Sequence, residues 1–535
     1  MKEYPNAAPN WLCYLDLSCA LVAGGLWYLL PAAGPWPLLL ALAPWAIRFV
    51  LTGRPSRRTA FDLPILLFLI TAGLAVWAAY DRTVAWPKFW LILGGVLLFY
   101  AFANAEPVPR VRVWILALLG TSVAAYFLLT HDWAVYPAKI PALTTLGRAL
   151  QAPLPSLPGH RLHPNVAGGL MAMSLPFAGL AVAQSWRDQR RGEGSGWQSL
   201  ALALASLAIT LFGLVLTTSR AAWIALAAAL FLIILWAVAG RLSPRTGERQ
   251  GRLFAGLAAA TLVIALVVVL AWPGGVAAML EALPGENTAV GRADLLRGTP
   301  SLVRDYPILG AGLGGFQMLH STYVLLSHVG YTVHSHNLYF DVAVEQGLPA
   351  LLALVWMWLL FAIAVWRGLL RRSPRPGSGA LGAAALSLVI ILIHGMVDDV
   401  LYGSRGVVLL FLPLAFAVPF LRRSRTADRG LAWLLPALLI LLIGLALLLR
   451  GPVLSRFSSN LGAVQQSQIE LGLYSWPDWP IQDEVRRQAD LTRPVAQFER
   501  ALAFDPKNAA ANRRLGMIEL YLAQSGSALT HLEAA

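Results

Sequence analysis

Residues 198–240 read QSLALALASLAITLFGLVLTTSRAAWIALAAALFLIILWAVAG. The stretch holds two apolar runs, 198–217 and 221–240, and each is long enough to cross a hydrocarbon core of about 30 Å as an α-helix. The three residues between the runs are Thr218, Ser219 and Arg220. An arginine costs about 2.5–3.5 kcal/mol at the bilayer centre and far less at its surface. The stretch therefore predicts two antiparallel membrane helices whose turn places Arg220 at the membrane surface.

The same pattern extends over most of the chain. Of its 535 residues, 58% are hydrophobic and 13% are charged, whereas an ordinary globular protein carries about 25% charged residues. We therefore predict an all-α fold, a polytopic transmembrane protein of about 12–13 helices with a C-terminal helical tail. The predicted spans are 11–30, 36–52, 61–79, 86–104, 111–130, 164–184, 198–217, 221–240, 253–273, 338–366, 379–400, 406–421 and 430–450.

Basic residues indicate the orientation of these helices. They cluster in every second loop, beginning with Arg54, Arg57 and Arg58 and ending with 422–429. Because cytoplasmic loops carry an excess of lysine and arginine, we expect these loops and the N-terminus inside the cell and the chain after Arg450 outside. The net charge of +14 then reflects membrane topology, so we expect membrane lipids beside the basic loops and no nucleic acid partner.

The first apolar run is expected to stay in the mature protein. Lys2 precedes the run, but no small-residue cleavage site follows it, as a signal peptide would require. Cys13 and Cys19 lie in this run at a spacing that places them on different helix faces. We expect both to be packing residues, with no disulfide and no metal.

Two of the loops that this topology places outside are long, 131–163 and 274–337. A loop of that length in a compact protein usually carries function or short helices of its own, and we expect short helices within 274–337. Its segment 286–317 has the pattern of an amphipathic helix at the membrane interface. Three arginines, the first of them Arg292, alternate there with acidic and apolar residues before a glycine-rich turn.

Two histidines follow the long loop. The stretch HSHNLYFDVAVEQGLPALLAL, residues 334–354, places His334, His336 and Asn337 at the mouth of a predicted membrane helix. Because the charge of histidine changes near neutral pH, His336 is a candidate general base. A histidine that only forms a hydrogen bond at the headgroup boundary fits the spacing equally well.

The chain changes character after the last apolar run. We divide it into a membrane domain over 1–450, a linker over 451–475 and a polar helical segment over 476–535. The last segment resembles about one and a half tetratricopeptide repeats, which have a period of about 34 residues. The matching positions are Phe498, Ala501, Phe504, Pro506, Leu515, Gly516, Ala528, Leu532 and Ala535.

A repeat array of that length cannot bury a continuous core alone, because about three repeats are needed. We therefore expect either that the chain is truncated or that the segment leans on another surface. As a functional feature it is either an external protein-docking module or a short amphipathic helical tail.

Taken together, the polar external segments resemble the O-antigen ligase superfamily, bacterial membrane proteins that include O-antigen ligases, O-antigen polymerases and some protein O-oligosaccharyltransferases. The resemblance covers roughly residues 160–355. Its motifs are an arginine in a turn of the form SR-small-small-W, an arginine in the long external loop, a P-L-hG-x-G segment, and a histidine followed by Asn, Ser or Gln with a glycine ten residues further on. Here these positions are Ser219 to Trp223, Arg292, Pro307 to Gly314, His336 with Asn337, and Gly347.

Two further features bear on this resemblance. RLHPNVAGGL, with Arg161 and Asn165, is similar to the segment that opens the family's core. Ala350 departs from the pattern, because it stands where a second small, glycine-like position is often found.

The resemblance implies that a glycan is transferred from an undecaprenyl-pyrophosphate donor at the outer face of the bacterial cytoplasmic membrane. Arg220 and Arg292 would bind the pyrophosphate, because guanidinium groups match phosphate oxygens with paired hydrogen bonds. His336 would take the proton of the acceptor hydroxyl. Asn337 would orient the acceptor or the ring, and His334 is the alternative base. This scheme requires neither a cofactor nor a metal.

Other polar residues give the site alternatives. Arg161 and Asp398 are expected to support it. In IHGMVDDVLYGSR, residues 393–405, Asp398 and Asp399 lie about one turn after His394, and carboxylates are the ligands that hard divalent cations prefer. We favour ion pairs of these carboxylates with Arg405 or Arg220 over a metal site. Asp341 and Glu345 lie one turn apart on the predicted helix after the long loop. We expect this acidic pair either to line the cavity of the candidate site or to pack in a polar seam.

Several functions remain open from the sequence. The acceptor is lipid A core sugar for a ligase, the growing glycan for a polymerase, or a protein hydroxyl for a protein O-oligosaccharyltransferase, and we favour the ligase. The external tail indicates a protein partner, which is either the acceptor or a separate binding protein. A secondary transporter is the alternative from another class, but transporters usually place the substrate near the bilayer midplane between repeated halves. A scaffold with an inactive site is disfavoured by the complete set of Arg220, Arg292 and His336.

Overall fold

The computed structural model of the chain describes residues 9–30, 34–154, 161–192, 196–243, 247–273, 286–369, 376–421, 450–474 and 481–535. These residues form helices, turns and loops with no β-strand among them, which confirms the all-α prediction. Within them, 7 helices are long and apolar enough to cross a membrane, judged by length and composition, and five shorter helical segments are also apolar. The span predicted at 430–450 lies, except for its last residue, outside the described part of the chain.

The first ten helices are α1 Trp11–Leu29, α2 Leu38–Thr52, α3 Asp62–Ala78, α4 Arg82–Asn104, α5 Pro109–Thr130, α6 Pro141–Gln151, α7 Pro164–Arg191, α8 Gly196–Thr217, α9 Arg220–Leu242 and α10 Gly247–Ala271. They are followed by α11 Glu286–Asp305, α12 Phe316–Tyr323, α13 Leu338–Leu369 and α14 Ser378–His394. Two 3-10 helices, Arg405–Leu409 and Leu412–Phe420, precede the tail helices α15 Arg450–Leu471, α16 Gln482–Gln488, α17 Thr492–Phe504, α18 Ala509–Tyr521 and α19 Ser525–Ala534.

Most predicted spans agree with these helices to within a few residues. Helix α7 extends seven residues beyond the span predicted at 164–184, and α10 begins six residues before the span predicted at 253–273. Two other spans are only partly α-helical or not α-helical. The span predicted at 379–400 is helical only to His394, and the one predicted at 406–421 consists of the two 3-10 helices. Pro413 and Pro419 lie within the second of these. A proline lacks the N–H that an α-helical hydrogen bond needs, so these two prolines weaken a regular α-helix over this run.

The chain divides into two compact units, each built from three separate segments. Unit 1 comprises Met1–Ala60, Leu93–Val276 and Trp358–Leu421, and unit 2 comprises Phe61–Ile92, Ala277–Met357 and Arg422–Ala535.

In unit 1, helix α7 packs against α5, α8, α9 and α14. Small residues allow these helices to approach closely, as is usual in membranes. A Cβ on Gly213 of α8 would lie 2.6 Å from the Cβ of Ala124 on α5. Helices α1 and α2 also pack together, and their contact contains a buried ion pair between Asp16 and Arg48.

In unit 2, the tail and the helices of the long loop share one apolar core. Phe498, Ala501 and Leu515 of the tail are buried in the same cluster as Leu302 of α11 and Phe316 of α12. The segment that we expected to be a linker, 451–475, is mostly helical, since α15 ends at Leu471 and packs against α17. The tail therefore does not bury its core alone but completes it with α11 and α12.

The glycine-rich segment Pro307 to Gly314 packs against α13 through backbone atoms. The N–H of Ala311 donates to the carbonyl of Val344 at 2.7 Å, and the N–H of Leu348 donates to the carbonyl of Pro307 at 2.9 Å. The approach is close because Gly310 has φ +74° and Gly347, at the kink of α13, has φ +81°. Residues other than glycine rarely adopt such φ values. These two glycines of the motif thus serve helix packing.

Replacing Gly310 with alanine is expected to destabilise unit 2. The added Cβ would lie 2.2 Å from the carbonyl oxygen of Glu345, and the positive φ adds strain, so we expect a loss of more than about 2 kcal/mol. Thermal denaturation in detergent measures this loss. Gly179→Ala is the control, because a Cβ there meets nothing within 4 Å. Equal melting temperatures for the two variants would contradict the packing role.

Acidification is expected to destabilise unit 2 through His320 on α12. His320 is buried, stacks on Phe316 with ring centroids 5.3 Å apart, and makes no hydrogen bond with either ring nitrogen. Burial lowers its pKa to about 4, against about 6.5 in an unfolded chain. The fold therefore binds fewer protons than the unfolded chain below pH 6.5, and about 3 kcal/mol of stability is lost as the pH falls toward 4.

The test compares melting temperatures at pH 7 and pH 4.5 for the natural protein and His320→Leu. Because leucine does not titrate, the variant should lose less stability between these pH values. An equal loss in both proteins would show that His320 does not contribute to acid sensitivity.

Candidate functional site

The residues predicted to form the site are distributed over both units. Arg161, Arg220 and Asp398 belong to unit 1, and Arg292 and the His334–Asn337 turn belong to unit 2. Unit 2 thus carries the candidate base, the two residues beside it and one candidate arginine, and unit 1 carries the other three predicted residues.

His336 is held in a tight turn at the start of α13. It is half-buried, and its φ of +56° lies in the left-handed region, which is uncommon for residues other than glycine. The N–H of His336 donates to Nδ1 of His334 at 3.2 Å, and the two rings are edge to face with centroids 4.3 Å apart. Strained backbone of this kind clusters at functional sites, so the geometry agrees with a functional role for His336.

Asn337 fixes the end of this turn. Its Oδ1 accepts hydrogen bonds from the N–H groups of Tyr339 and Phe340, both at 3.1 Å. This is the N-cap arrangement that satisfies the first free N–H groups of a helix. The asparagine after the histidine therefore connects the turn rigidly to α13, in addition to the orienting role that we predicted from the sequence.

Asp341 supports the turn from the first turn of α13. Its side chain is buried, Oδ1 accepts the N–H of Ser335 at 2.7 Å, and Oδ2 lies 3.9 Å from Nδ1 of His334. From the sequence we expected Asp341 to line a cavity or a seam, and its bond to the histidine turn was missed. The available signal was its position, one helical turn after Asn337, which places a carboxylate beneath the turn.

Glu345 and Gln346 lie one turn further along α13 and form a polar seam with α3 and α4. For Glu345 the sequence left two alternatives, a cavity lining or a polar seam, and the structure shows the seam. The Glu345 carboxylate lies 2.6 Å from Nζ of Lys88 on α4. The hydroxyl of Thr71 on α3 lies 3.1 Å from Oε1 of Gln346. Buried charges in a membrane protein are costly unless they are paired, so these contacts hold α13 against α3 and α4.

Arg292 differs from the other arginines of α11. It shares a helix face with Leu295, Thr299 and Leu302, which follow at intervals of three and four residues and are buried. Arg292 itself is half-buried, whereas Arg297 is exposed and lies 3.3 Å from Asp294. The structure thus confirms an amphipathic helix over this segment and places Arg292 at the end of its buried face.

Arg220 is the first residue of α9. The turn before it consists of Thr218 and Ser219, both buried, and Thr218 has a φ of +50°. Ser219 packs on α7, where a Cβ added to Gly168 would lie 2.8 Å from the Cβ of Ser219. The indole N–H of Trp223 donates to the carbonyl of Leu214 at 3.3 Å. The S-R-A-A-W motif is therefore a compact connection that fixes the position of Arg220.

Asp398 lies beside the N-terminus of α7. The amide of Asn165 donates to its Oδ2 at 2.5 Å, and a Cβ added to Gly169 would lie 2.7 Å from the side chain of Val400. Asp399 instead accepts the N–H of Tyr402 at 2.8 Å. The N-terminus of α7 thus brings together two parts of the predicted site, Asp398 and the turn before Arg220. Ion pairs of Asp398 with Arg220 or Arg405 stay a prediction.

Arg161 lines an open cleft of about 360 Å³ in unit 1 with His131, Asp132, Arg148 and Gln151. Its guanidinium lies 2.9 Å from the Asp132 carboxylate. Hydrogen bonds from the N–H groups of Val135 and Ala134 lower the pKa of Asp132. Burial lowers the pKa of His131 and so favours its neutral form.

Part of the chain matches a known protein family. Residues 205–355 match the family model described as O-antigen ligase, and this range contains Arg220, Arg292, His336, Asn337 and Gly347. A search among curated proteins found no match. The family consists of membrane glycosyltransferase-like enzymes of the ligase or polymerase type. Residues 205–355 are therefore similar to the O-antigen ligase family, in the part of the chain where the sequence resemblance had been strongest.

Proposed function

We propose that this protein transfers a glycan from undecaprenyl-pyrophosphate to an acceptor hydroxyl at the outer face of the bacterial cytoplasmic membrane. The observation that carries the proposal is the histidine turn within the residues that match the O-antigen ligase family. The turn is fixed by Asn337 and Asp341 and presents His336 half-buried beside His334. A positioned base of this kind is what the attack of a hydroxyl on a sugar carbon requires.

In the proposed reaction, His336 takes the proton of the acceptor hydroxyl as the oxygen attacks the anomeric carbon. A new carbon–oxygen bond forms, the bond from that carbon to the pyrophosphate oxygen breaks, and the undecaprenyl pyrophosphate leaves with the electron pair. Arg220 and Arg292 bind the pyrophosphate and stabilise the charge that builds on it. No metal is required, because the two guanidinium groups supply the positive charge.

Three further residues support this reaction in the proposal. His334 accepts the N–H of His336 and is the alternative base. Asp398 and Arg161 support the site from unit 1. Asp398 accepts a hydrogen bond from Asn165, and Arg161 forms an ion pair with Asp132.

The orientation of the chain is part of the proposal. The basic loops lie in the cytoplasm, the N-terminus lies inside, and the tail after Arg450 lies outside, as the distribution of arginine favours. With this orientation both Arg220 and the histidine turn face the outer side, where the lipid-linked glycan is used.

The acceptor that we propose is lipid A core sugar, which makes the protein an O-antigen ligase. A polymerase, which would use the growing glycan as the acceptor, is the alternative within the family. The external tail agrees with a protein partner or a protein acceptor, because tetratricopeptide-like helices commonly bind proteins.

Reconstitution in proteoliposomes tests the proposal. The purified protein receives undecaprenyl-pyrophosphate-linked glycan together with lipid A core, with lipid-linked repeat units or with an acceptor protein. We expect the donor to be consumed only when one of these acceptors is present, and the acceptor that is modified identifies the reaction. If no acceptor is modified but the labelled lipid-linked glycan crosses the bilayer, the protein is a transporter and the proposal is wrong.

A further inference from the structure

The tail and the long loop are joined by a buried network of charges around Arg514 of α18. Arg514 is 1% exposed, and its Nε donates to the carboxylate of Asp305, the last residue of α11, at 2.8 Å. Its other nitrogens donate to Tyr306 Oη at 3.1 Å and to Gln466 Oε1 at 3.2 Å. The guanidinium carbon lies 3.6 Å from the ring centroid of Tyr323. Every polar face of this arginine is therefore used within unit 2.

A second set of contacts extends the network. Tyr323 on α12 donates its hydroxyl to Glu470 of α15 at 2.9 Å. Glu470 in turn lies 3.3 Å from Nε of Arg486 on α16, and both are buried. Arg513 also binds Asp305. A buried charge that loses its partner is strongly destabilising, so the tail is held in one specific arrangement on α11 and α12.

The tail also holds the glycine-rich segment. Oδ1 of Asn460 on α15 accepts the N–H groups of Ile308, at 2.9 Å, and Leu309, at 2.7 Å. The carbonyl of the preceding residue, Pro307, accepts the N–H of Leu348 at the kink of α13. The contacts thus run from the tail to α11, which carries Arg292, and to α13, which begins at the histidine turn.

The face of the tail that packs on α11 and α12 is not open to a partner protein. This face buries Ala463, Val464 and Leu515 in the shared core. A partner protein could bind this face only by displacing the chain's own loop. The occupant of the face is therefore the 292–323 part of the long loop.

We propose that the tail is an intramolecular positioning module for the donor site. By fixing Asp305 at the C-terminal end of α11, Arg514 holds the helix so that Arg292 is in place for the pyrophosphate. This inference rests on the proposed function for the role of Arg292. Arg514 is a positioning residue, since it contacts Asp305 and not the substrate.

The test uses the full-length protein with Arg514→Lys, which keeps the charge but cannot reach Asp305, Tyr306 and Gln466 together. The matched control is Arg500→Lys on α17, where the arginine is exposed. Two quantities are measured: hydrogen exchange of the backbone amides of residues 292–305, and the KM for undecaprenyl-pyrophosphate-linked glycan with kcat in the same assay. Tyr323→Phe, which removes only the hydrogen bond to Glu470, is a milder variant that applies if Arg514→Lys does not fold.

We expect faster exchange in α11, a KM raised by about 10-fold and a lower kcat, because the misplaced Arg292 both binds the donor less well and stabilises less of the charge on the leaving pyrophosphate. In combination with Arg292→Lys the increase in KM should be less than the product of the single effects, since both changes disturb one contact. Tyr323→Phe should change both quantities in the same direction and by less. Arg500→Lys should change neither.

Two results would overturn the inference. Unchanged exchange in α11 would show that Arg514 does not hold the helix, and faster exchange with an unchanged KM would show that the position of α11 does not matter for the donor. If Arg292→Lys itself leaves KM unchanged, the proposed role of Arg292 is wrong, whereas the exchange of α11 still decides whether the tail holds this helix.

Discussion

His336→Asn is expected to lower kcat for glycan transfer by about 10²–10⁴-fold, the usual contribution of a positioned general base. Asparagine lacks a group that takes a proton at neutral pH, but it tolerates the left-handed conformation in which His336 lies. The variant should therefore fold and still bind the donor. The measurement is kcat in the reconstituted assay, together with the melting temperature in detergent.

The control for this variant is His328→Asn, which changes an exposed histidine in the same loop and should leave kcat unchanged. If His336→Asn retains natural kcat, the histidine is only a hydrogen-bonding residue at the headgroup boundary. Activity that is lost in His334→Asn but kept in His336→Asn would instead move the role of the base to His334, whose ring is 4.3 Å away.

Arg220→Lys is expected to lower kcat/KM by about 10-fold to 10²-fold. Lysine keeps the positive charge at the start of α9 but cannot offer two parallel N–H groups to a phosphate. Because the turn of Thr218 and Ser219 is buried, the backbone has little freedom to shift the lysine ammonium to the position of the arginine guanidinium. The measurement is kcat/KM for the lipid-linked donor.

Arg292→Lys should have an effect of similar size, and Arg297→Lys is its matched control. Arg297 lies on the same helix but is exposed and paired with Asp294. Full activity in Arg220→Lys would mean that this arginine serves only the membrane interface. An equal loss in Arg292→Lys and Arg297→Lys would mean that α11 attracts the donor by its general charge and has no specific contact.

Much of the membrane part of the fold can be predicted from hydrophobic length. The runs 198–217 and 221–240 correspond to α8 and α9 because a membrane helix must satisfy its own backbone hydrogen bonds. The same argument failed at 406–421, where the apolar sequence forms two 3-10 helices and Pro413 and Pro419 each lack a backbone N–H. Hydropathy measures transfer to lipid and does not distinguish the type of helix.

The site could be predicted only in part. Motif order predicts His336 and Asn337 as site residues, but it does not name Asp341, whose carboxylate binds their turn. Spacing places Asp341 near the turn and leaves its hydrogen-bond partner undetermined. The tail could be assigned helices from its repeat pattern. Its docking through Arg514 and Asp305 joins residues 209 positions apart, and such a pairing is fixed by tertiary packing rather than by any local signal.

The proposed role of His336 in transferring glycan from the lipid-linked donor can be tested directly in cells. The measurement is mass spectrometry of the undecaprenyl-pyrophosphate-linked pool in cells that carry either the natural protein or His336→Asn. We predict that long lipid-linked chains accumulate in the variant, because their transfer to lipid A core is blocked. Accumulation of single repeat units would show a polymerase instead of a ligase, and an unchanged pool would contradict the assignment of this protein as a glycan transferase that depends on His336.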